Sequence, residues 1–209
     1  MTTESSGGLT KTRIEALTDG VFAIAMTLLI LEIKVPVVEH SMLHELPRRL
    51  FELWPKYISY VISFVMLGVY WIGHHNQFHV IRRSDRTLLW INILFLMVIS
   101  FLPFSTALLG EYATERIATE IYGINLIVIG LLLYWHWRHA TKKHRLVDPE
   151  LDARVIATAT RRILMGPVVF LIAIGISFVN VAASLTIFLL APLLFILPGK
   201  IDRYWQRSR

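Results

Sequence analysis

Residues Ile163 to Gly199 run for 37 positions without one Asp, Glu, Lys or Arg. As a single helix that run would be about 55 Å long, whereas a bilayer's hydrocarbon core is about 30 Å thick and is crossed by roughly 20 residues. It is too long for one span and fits two, joined by a tight turn near Asn180–Ser184. Composition agrees with a membrane chain. Of 209 residues 55% are hydrophobic and 17% charged, with mean hydropathy +0.57, where soluble domains carry about a quarter charged residues.

Three further apolar runs are clear. Tyr57–Gly73 is uncharged, with Trp54 and Tyr57 at one end and Trp71 at the other. Thr87–Gly110 is also uncharged and contains Pro103, which predicts a kink. Ile121–Trp137 ends in Tyr134, Trp135 and Trp137, an interfacial aromatic belt. The first span is the awkward one. Its uncharged core, Gly20–Leu31, is only 12 residues. A helix long enough to cross must draw Asp19, Glu32 or Lys34 towards membrane depth, at a cost of at least about 2.5 kcal/mol for a lipid-facing charge. Those charges must therefore face protein or water.

The expectation is an all-α polytopic membrane protein, one unit over 1–209, with six transmembrane helices near 17–38, 54–78, 87–109, 120–137, 163–180 and 183–199. Basic residues test the count. Alternating the spans places sixteen Lys and Arg on one side and five on the other. Both termini then read as cytoplasmic by the positive-inside rule. This distribution assigns the net charge of +6 to the membrane rather than to nucleic acid. Residues 1–10 read as a disordered tail with no cleavable signal peptide. Residues 138–162 read as a basic cytoplasmic linker, regulatory or bound to anionic lipid, with a short helix over 149–162 started by Asp148-Pro149-Glu150. Ser41–Leu53 suggests a short amphipathic helix on the outer surface.

Enzyme signatures are missing. There is no phosphate-cradling glycine loop, Gly-x-Ser-x-Gly or His-Glu-x-x-His, and no Thr-Val-Gly-Tyr-Gly filter. Without cysteine, thiolate metal sites and thiol chemistry are excluded. His75 and His79 stand at i, i+4, a spacing that can hold a metal. With few carboxylates near, His74, His75 and His79 read instead as hydrogen-bonded groups at the end of span two, so no metal or cofactor is expected. On the first helix Ile24, Leu28 and Leu31 share a stripe with Thr27 beside it. Periodicity leaves two meanings open, a packing seam or a pore wall. Arg13 and Asp19 are six residues apart, too far for a direct pair within the helix. Each needs a partner elsewhere, with Trp71, His74, His75 and Asn92 as candidates.

The string Arg13-x-x-x-Leu17-Thr18-Asp19-Gly20, with Ala23-Ile24-x-x-Thr27-Leu28-Leu29 and Pro36 after it, resembles the transmembrane protein 175 family. Its animal members are endosomal and lysosomal potassium channels, and its prokaryotic members are shorter homologues. The family motif has Phe and Ser where this chain has Leu17 and Thr18. Trp71-x-x-His74-His75-x-x-Phe78 and Asn92 add to the likeness, which covers about the first half of the chain.

The resemblance implies a prokaryotic plasma-membrane homotetramer, its central pore lined by helix 1. Ile24, Leu28 and Leu31 would be pore constrictions, Thr27 the hydroxyl layer that prefers potassium, and Glu32 part of an outer vestibule. Arg13, Thr18 and Asp19 would join Trp71, His74, His75 and Asn92 in a signature network. The implied activity is passage of potassium and other monovalent cations without a cofactor. The alternative is a proton-conducting or proton-coupled protein that uses Asp19, Glu32 and the His74/His75 region. A non-transporting scaffold is a third reading.

Overall fold

The computed structural model describes residues 11–196. The expected disordered tail 1–10, the last residues of span six and the basic C-terminal tail lie outside the described residues. Among the described residues eight α-helices follow one another: α1 Lys11–Leu31, α2 Leu46–Glu52, α3 Trp54–Val80, α4 Arg86–Ser100, α5 Leu102–Glu111, α6 Arg116–Thr141, α7 Ala153–Ser177 and α8 Val181–Ile196. Short 3-10 segments cover His40–Glu45 and Lys142–His144. Taking α4 with α5 as one crossing, five segments among the described residues are long and apolar enough to span a membrane, and α8 is a sixth, shorter apolar helix there.

Helix α1 departs from its expected bounds. Within the described residues it runs from Lys11 to Leu31, rather than covering 17–38. Its 21 residues span about 31 Å, which matches the hydrocarbon core. A bond from Ile33 N to Ile30 O closes the last turn. Pro36 lacks the donor a continuing helix needs and disfavours helical backbone at Val35. Glu32 and Lys34 consequently lie beyond the helix, and only the entry turns carry charge.

The third crossing breaks at Phe101, two residues before Pro103. The break frees carbonyls that lipid cannot satisfy. Asn125 Nδ2 donates to Val98 O on the α4 side of the break at 3.2 Å, and on the α5 side the Ser105 and Thr106 hydroxyls donate to Leu102 O at 3.0 and 2.8 Å, within their own helix. Helices α6 and α7 approach closely along a glycine seam, as small residues allow in membranes. A Cβ at Gly130 would meet Pro167 Cγ at 2.7 Å, and one at Gly123 would meet Ile174 Cγ1 at 2.8 Å. Helix α1 packs on α3, α4 and α5, whereas α7 packs on α6 and α8, and α8 also on α3 and α6.

The 138–162 region, expected as a basic linker with a short helix, is folded as a cap against the ends of α3, α4 and α6. Helix α6 runs on to Thr141, and the chain reverses through Lys143 and His144, both at positive φ (55° and 51°). A short antiparallel bridge joins Ile81 to Val147, and Arg82 N donates to Leu146 O at 2.8 Å. Ile81, Leu88, Trp137, Val147, Leu151 and Val155 bury a second core there. The short helix expected over 149–162 is not separate. Asp148-Pro149 forms a turn with buried Leu151, and Asp152 caps one continuous α7 by accepting from Arg154 N at 2.8 Å. The outer helix expected over 41–53 is divided between the 3-10 turn and α2, which carries Pro47 in its first turn.

Asp85 ties the cap to α4. Its carboxylate accepts from Leu88 N at 2.8 Å and lies 2.9 Å from His139 Nε2. Partial burial alone would raise its pKa. The Leu88 amide, His139 and the charge of Arg145 outweigh that effect and hold the carboxyl below its ordinary value. A depressed folded pKa means the stabilisation is complete above the unfolded pKa of about 4 and lost as pH falls through the lower folded value. The wild-type melting temperature should therefore fall in that acid window by more than that of Asp85→Asn. Asp85→Ala should cost about 1 kcal/mol of stability near neutral pH, as lost N-caps do. Equal acid sensitivity in wild type and Asp85→Asn would remove the carboxylate from this role.

Candidate functional site

Two faces divide α1. Ile14, Thr18, Phe22, Ala25 and Leu29 point into the bundle and are buried. Phe22 packs its ring 5.9 Å from Phe95 of α4. The other face carries Ile24, Leu28 and Leu31, which are 61%, 42% and 60% exposed in the single chain. Thr27 is exposed beside them, its hydroxyl donating to Ile24 O at 2.9 Å. That bond uses the proton and leaves oxygen lone pairs directed outward. The stripe is therefore not a packing seam within the subunit.

Polar residues lock the opposite face. Asn92 Nδ2 donates to Thr18 Oγ1 at 3.2 Å, and Asn92 Oδ1 lies 2.9 Å from His74 Nε2. With its amide turned that way Asn92 can only accept from His74, so the imidazole carries its proton on Nε2. His74 stacks on Phe95 with ring centroids 5.5 Å apart and planes 7° apart. Three spans thus meet at one buried hydrogen-bonded node, all near the basic end of the bundle.

Asp19 takes a separate partner. Trp71 Nε1 donates to its Oδ1 at 2.8 Å, and His75 stacks on Trp71 at 5.7 Å between centroids. This group is exposed on the subunit flank. The expected network is therefore two groups, Thr18–Asn92–His74 inside and Asp19–Trp71–His75 outside. Arg13 joins neither. Its side chain is exposed, and among the described residues it makes no ion pair. Glu32 lies past the end of α1, lining a hollow of about 240 Å³ with Lys56, Ser59 and Glu111. Lys56 pairs with Glu111 at 2.5 Å. Among the described residues no group of three or more His, Cys, Asp or Glu could hold a metal.

Two residues extend the inner node without having been singled out. Gln77 Nε2 donates to Leu133 O at 3.0 Å, so its Oε1 accepts from His136 Nδ1 at 2.7 Å. His136 lies fully inside, 5.4 Å from the His74 ring, with no partner for Nε2 among the described residues. The available signal was the i, i+3 spacing of His74 and Gln77 on one helical face. Nothing local marked His136.

The family model for the endosomal/lysosomal potassium channel TMEM175 matches residues 13–103, which contain all but the first two residues of α1 and the inner node apart from His136. A potassium channel of Streptomyces collinus is 37% identical over 179 residues, covering 83% of this chain and 85% of that protein. The chain belongs to the TMEM175 family. The crystal structure of a lysosomal potassium-selective channel TMEM175 homologue from Chamaesiphon minutus superposes on it with TM-score 0.79 at 35% identity, covering 90% of this chain and 96% of that one. The endosomal/lysosomal proton channel TMEM175 of Gallus gallus is 39% identical over 124 residues, 56% of this chain but only 25% of that protein. This TMEM175 member is an integral membrane protein, and its family is one of ion channels rather than enzymes.

Proposed function

We propose that this TMEM175 member is a potassium-permeable cation channel, its ion path lined by α1 from four copies of the chain. The carrying observation is the division of α1. One face is locked to α3 and α4, while Ile24, Leu28, Leu31 and Thr27 stand uncovered along the other. Rings of Ile24, Leu28 and Leu31 form hydrophobic constrictions that gate by dewetting. Thr27 supplies a layer of hydroxyl oxygens between them, and Glu32 gives the outer mouth negative charge. The basic end of the bundle, with Arg82, Arg83, Lys142, Lys143 and Arg145, faces the cytoplasm together with both termini. Arg13 and the Asp19–Trp71–His75 group stand at that same end, where α1 can be set relative to its neighbours.

A proton-conducting reading has one observation in its favour, the contact of His74 with His136 in the bundle interior. Reconstitution of purified protein in liposomes, with independent potassium and proton gradients, separates the two. Potassium flux that follows the potassium gradient at matched pH is the expected result. Flux that follows only the pH gradient would replace this reading with the proton one, and no flux of either ion would leave a scaffold.

A further inference from the structure

Charged and apolar residues alternate in pairs along α2. Glu45, Arg48, Arg49 and Glu52 are charged, whereas Leu46, Pro47, Leu50 and Phe51 are apolar. On a helix of about 3.6 residues per turn that spacing collects each set on its own side. The charged side is closed on itself. Glu45 pairs with Arg48 at 3.3 Å and with Arg49 at 3.4 Å, and Arg48 pairs with Glu52 at 3.6 Å. Two arginines and two glutamates leave that side without net charge. The apolar side is left largely uncovered by the described residues. No residue of α2 is buried, and Phe51 is 75% exposed.

The level of α2 in the membrane follows from its neighbours. Leu29 and Glu32 at the end of α1 line one hollow with Lys56 and Ser59 near the start of α3, so these two helix ends stand side by side. Helix α1 matches the hydrocarbon core in length, at about 31 Å, and its end marks the boundary of that core opposite the basic surface. Helix α2 joins α3 through Leu53 alone and lies at this boundary. Trp54, which opens α3 and is 54% exposed, is a residue type that collects at such interfaces.

We propose that α2 docks on the lipid of the leaflet opposite the basic end, its apolar side sunk among the first acyl carbons and its charged side in water. An internally paired, neutral charged side needs no anionic headgroup, so the partner is the headgroup–acyl boundary of ordinary phospholipid. A second copy of the chain fits this face less well. A helix of seven residues is about 10 Å long and about 10 Å wide, so one side offers on the order of 100 Å², against the roughly 800 Å² that each partner buries in a stable complex. Docked in lipid, α2 fixes the connection between α1 and α3 at the depth of the interface. The proposal is independent of whether α1 lines a pore.

Site-directed spin labelling tests it, since a sequence without cysteine lets each label stand alone. A nitroxide is attached at Leu50→Cys, Phe51→Cys, Arg48→Cys or Glu52→Cys of the full chain, in vesicles of phosphatidylcholine with and without phosphatidylglycerol. Its collision rates with oxygen, which concentrates in lipid, and with a water-soluble nickel chelate are then measured. The oxygen-to-nickel ratio at Leu50→Cys and Phe51→Cys should exceed that at Arg48→Cys and Glu52→Cys severalfold, as for a face lying about 5–10 Å into the headgroup–acyl boundary. Phosphatidylglycerol should leave the ratios unchanged. Equal, low ratios at all four positions would overturn the proposal by placing α2 in water. Exclusion of both reagents from the two apolar positions would overturn it by showing protein over that side, a second copy or another part of this chain. A difference that arises only with phosphatidylglycerol would replace it with attraction by surface charge. If one of the two apolar-side variants does not fold, the other decides.

Discussion

Ile24→Asn and Leu28→Asn will each raise resting potassium flux through liposome-reconstituted protein, on the order of tenfold. In a four-fold ring an apolar side chain keeps the constriction dry, and four amides in its place offer water and ions hydrogen-bonding partners. A tenfold rise corresponds to about 1.4 kcal/mol removed from the barrier, a modest demand for four substituted side chains. Thr27→Ala should act differently. It removes the exposed oxygens and leaves the apolar rings intact, so potassium-over-sodium preference should fall towards unity while flux persists. All three side chains are uncovered in the single chain, so these changes should cost the folded subunit little. If all three variants keep wild-type flux and preference, the α1 stripe is not the ion path.

Asn92→Leu will destabilise the bundle more than any other single change in the inner node. Leucine keeps the branching of asparagine at the γ position, though it is bulkier, and strips the Thr18 hydroxyl of its donor and the His74 Nε2 proton of its acceptor. Each buried group left unsatisfied costs about 1–3 kcal/mol. Thermal unfolding in detergent should show the loss as a clear drop in melting temperature. Thr18→Val removes only one of the two bonds and should cost less. The double variant should cost less than the sum of the singles, because residues that share a partner couple. Strict additivity, or an unchanged melting temperature for Asn92→Leu, would show that this node does not hold α1 against α4.

Much of the architecture was legible because a bilayer imposes its rules locally. An uncharged run such as Thr87–Gly110 has to cross, and Pro103 within it has to disturb the helix. Hydropathy continues seven residues past the end of α1, through Val35, Val37 and Val38, whereas Pro36 keeps the helix from following it. The cap over 142–152 was also hidden. Its charges dominate its composition, whereas its structure depends on a few apolar residues, Leu146, Val147 and Leu151, that find Ile81 and Trp137 only in three dimensions.

The site was legible as a set of residues and not as an arrangement. Thr18, Asp19, Trp71, His74 and Asn92 could be named as interacting, but their pairing could not. Trp71 rather than an arginine takes Asp19, and Arg13 and His75 stay outside the buried node. His136 had no local signature, because its bond to Gln77 joins positions 59 residues apart.

The sequence by itself determined that the chain crosses a membrane, how its charges sort to the two sides, and which family motif its first helix carries. Those properties are sums over neighbouring residues, which the bilayer reads directly. Only the tertiary structure decided which face of α1 is free. A helix apolar on every side carries no amphipathic signal, so direction comes from contact alone. Phe22 and Leu29 meet α3, α4 and α5, Thr18 is held by Asn92, and Ile24, Thr27, Leu28 and Leu31 are left facing outward.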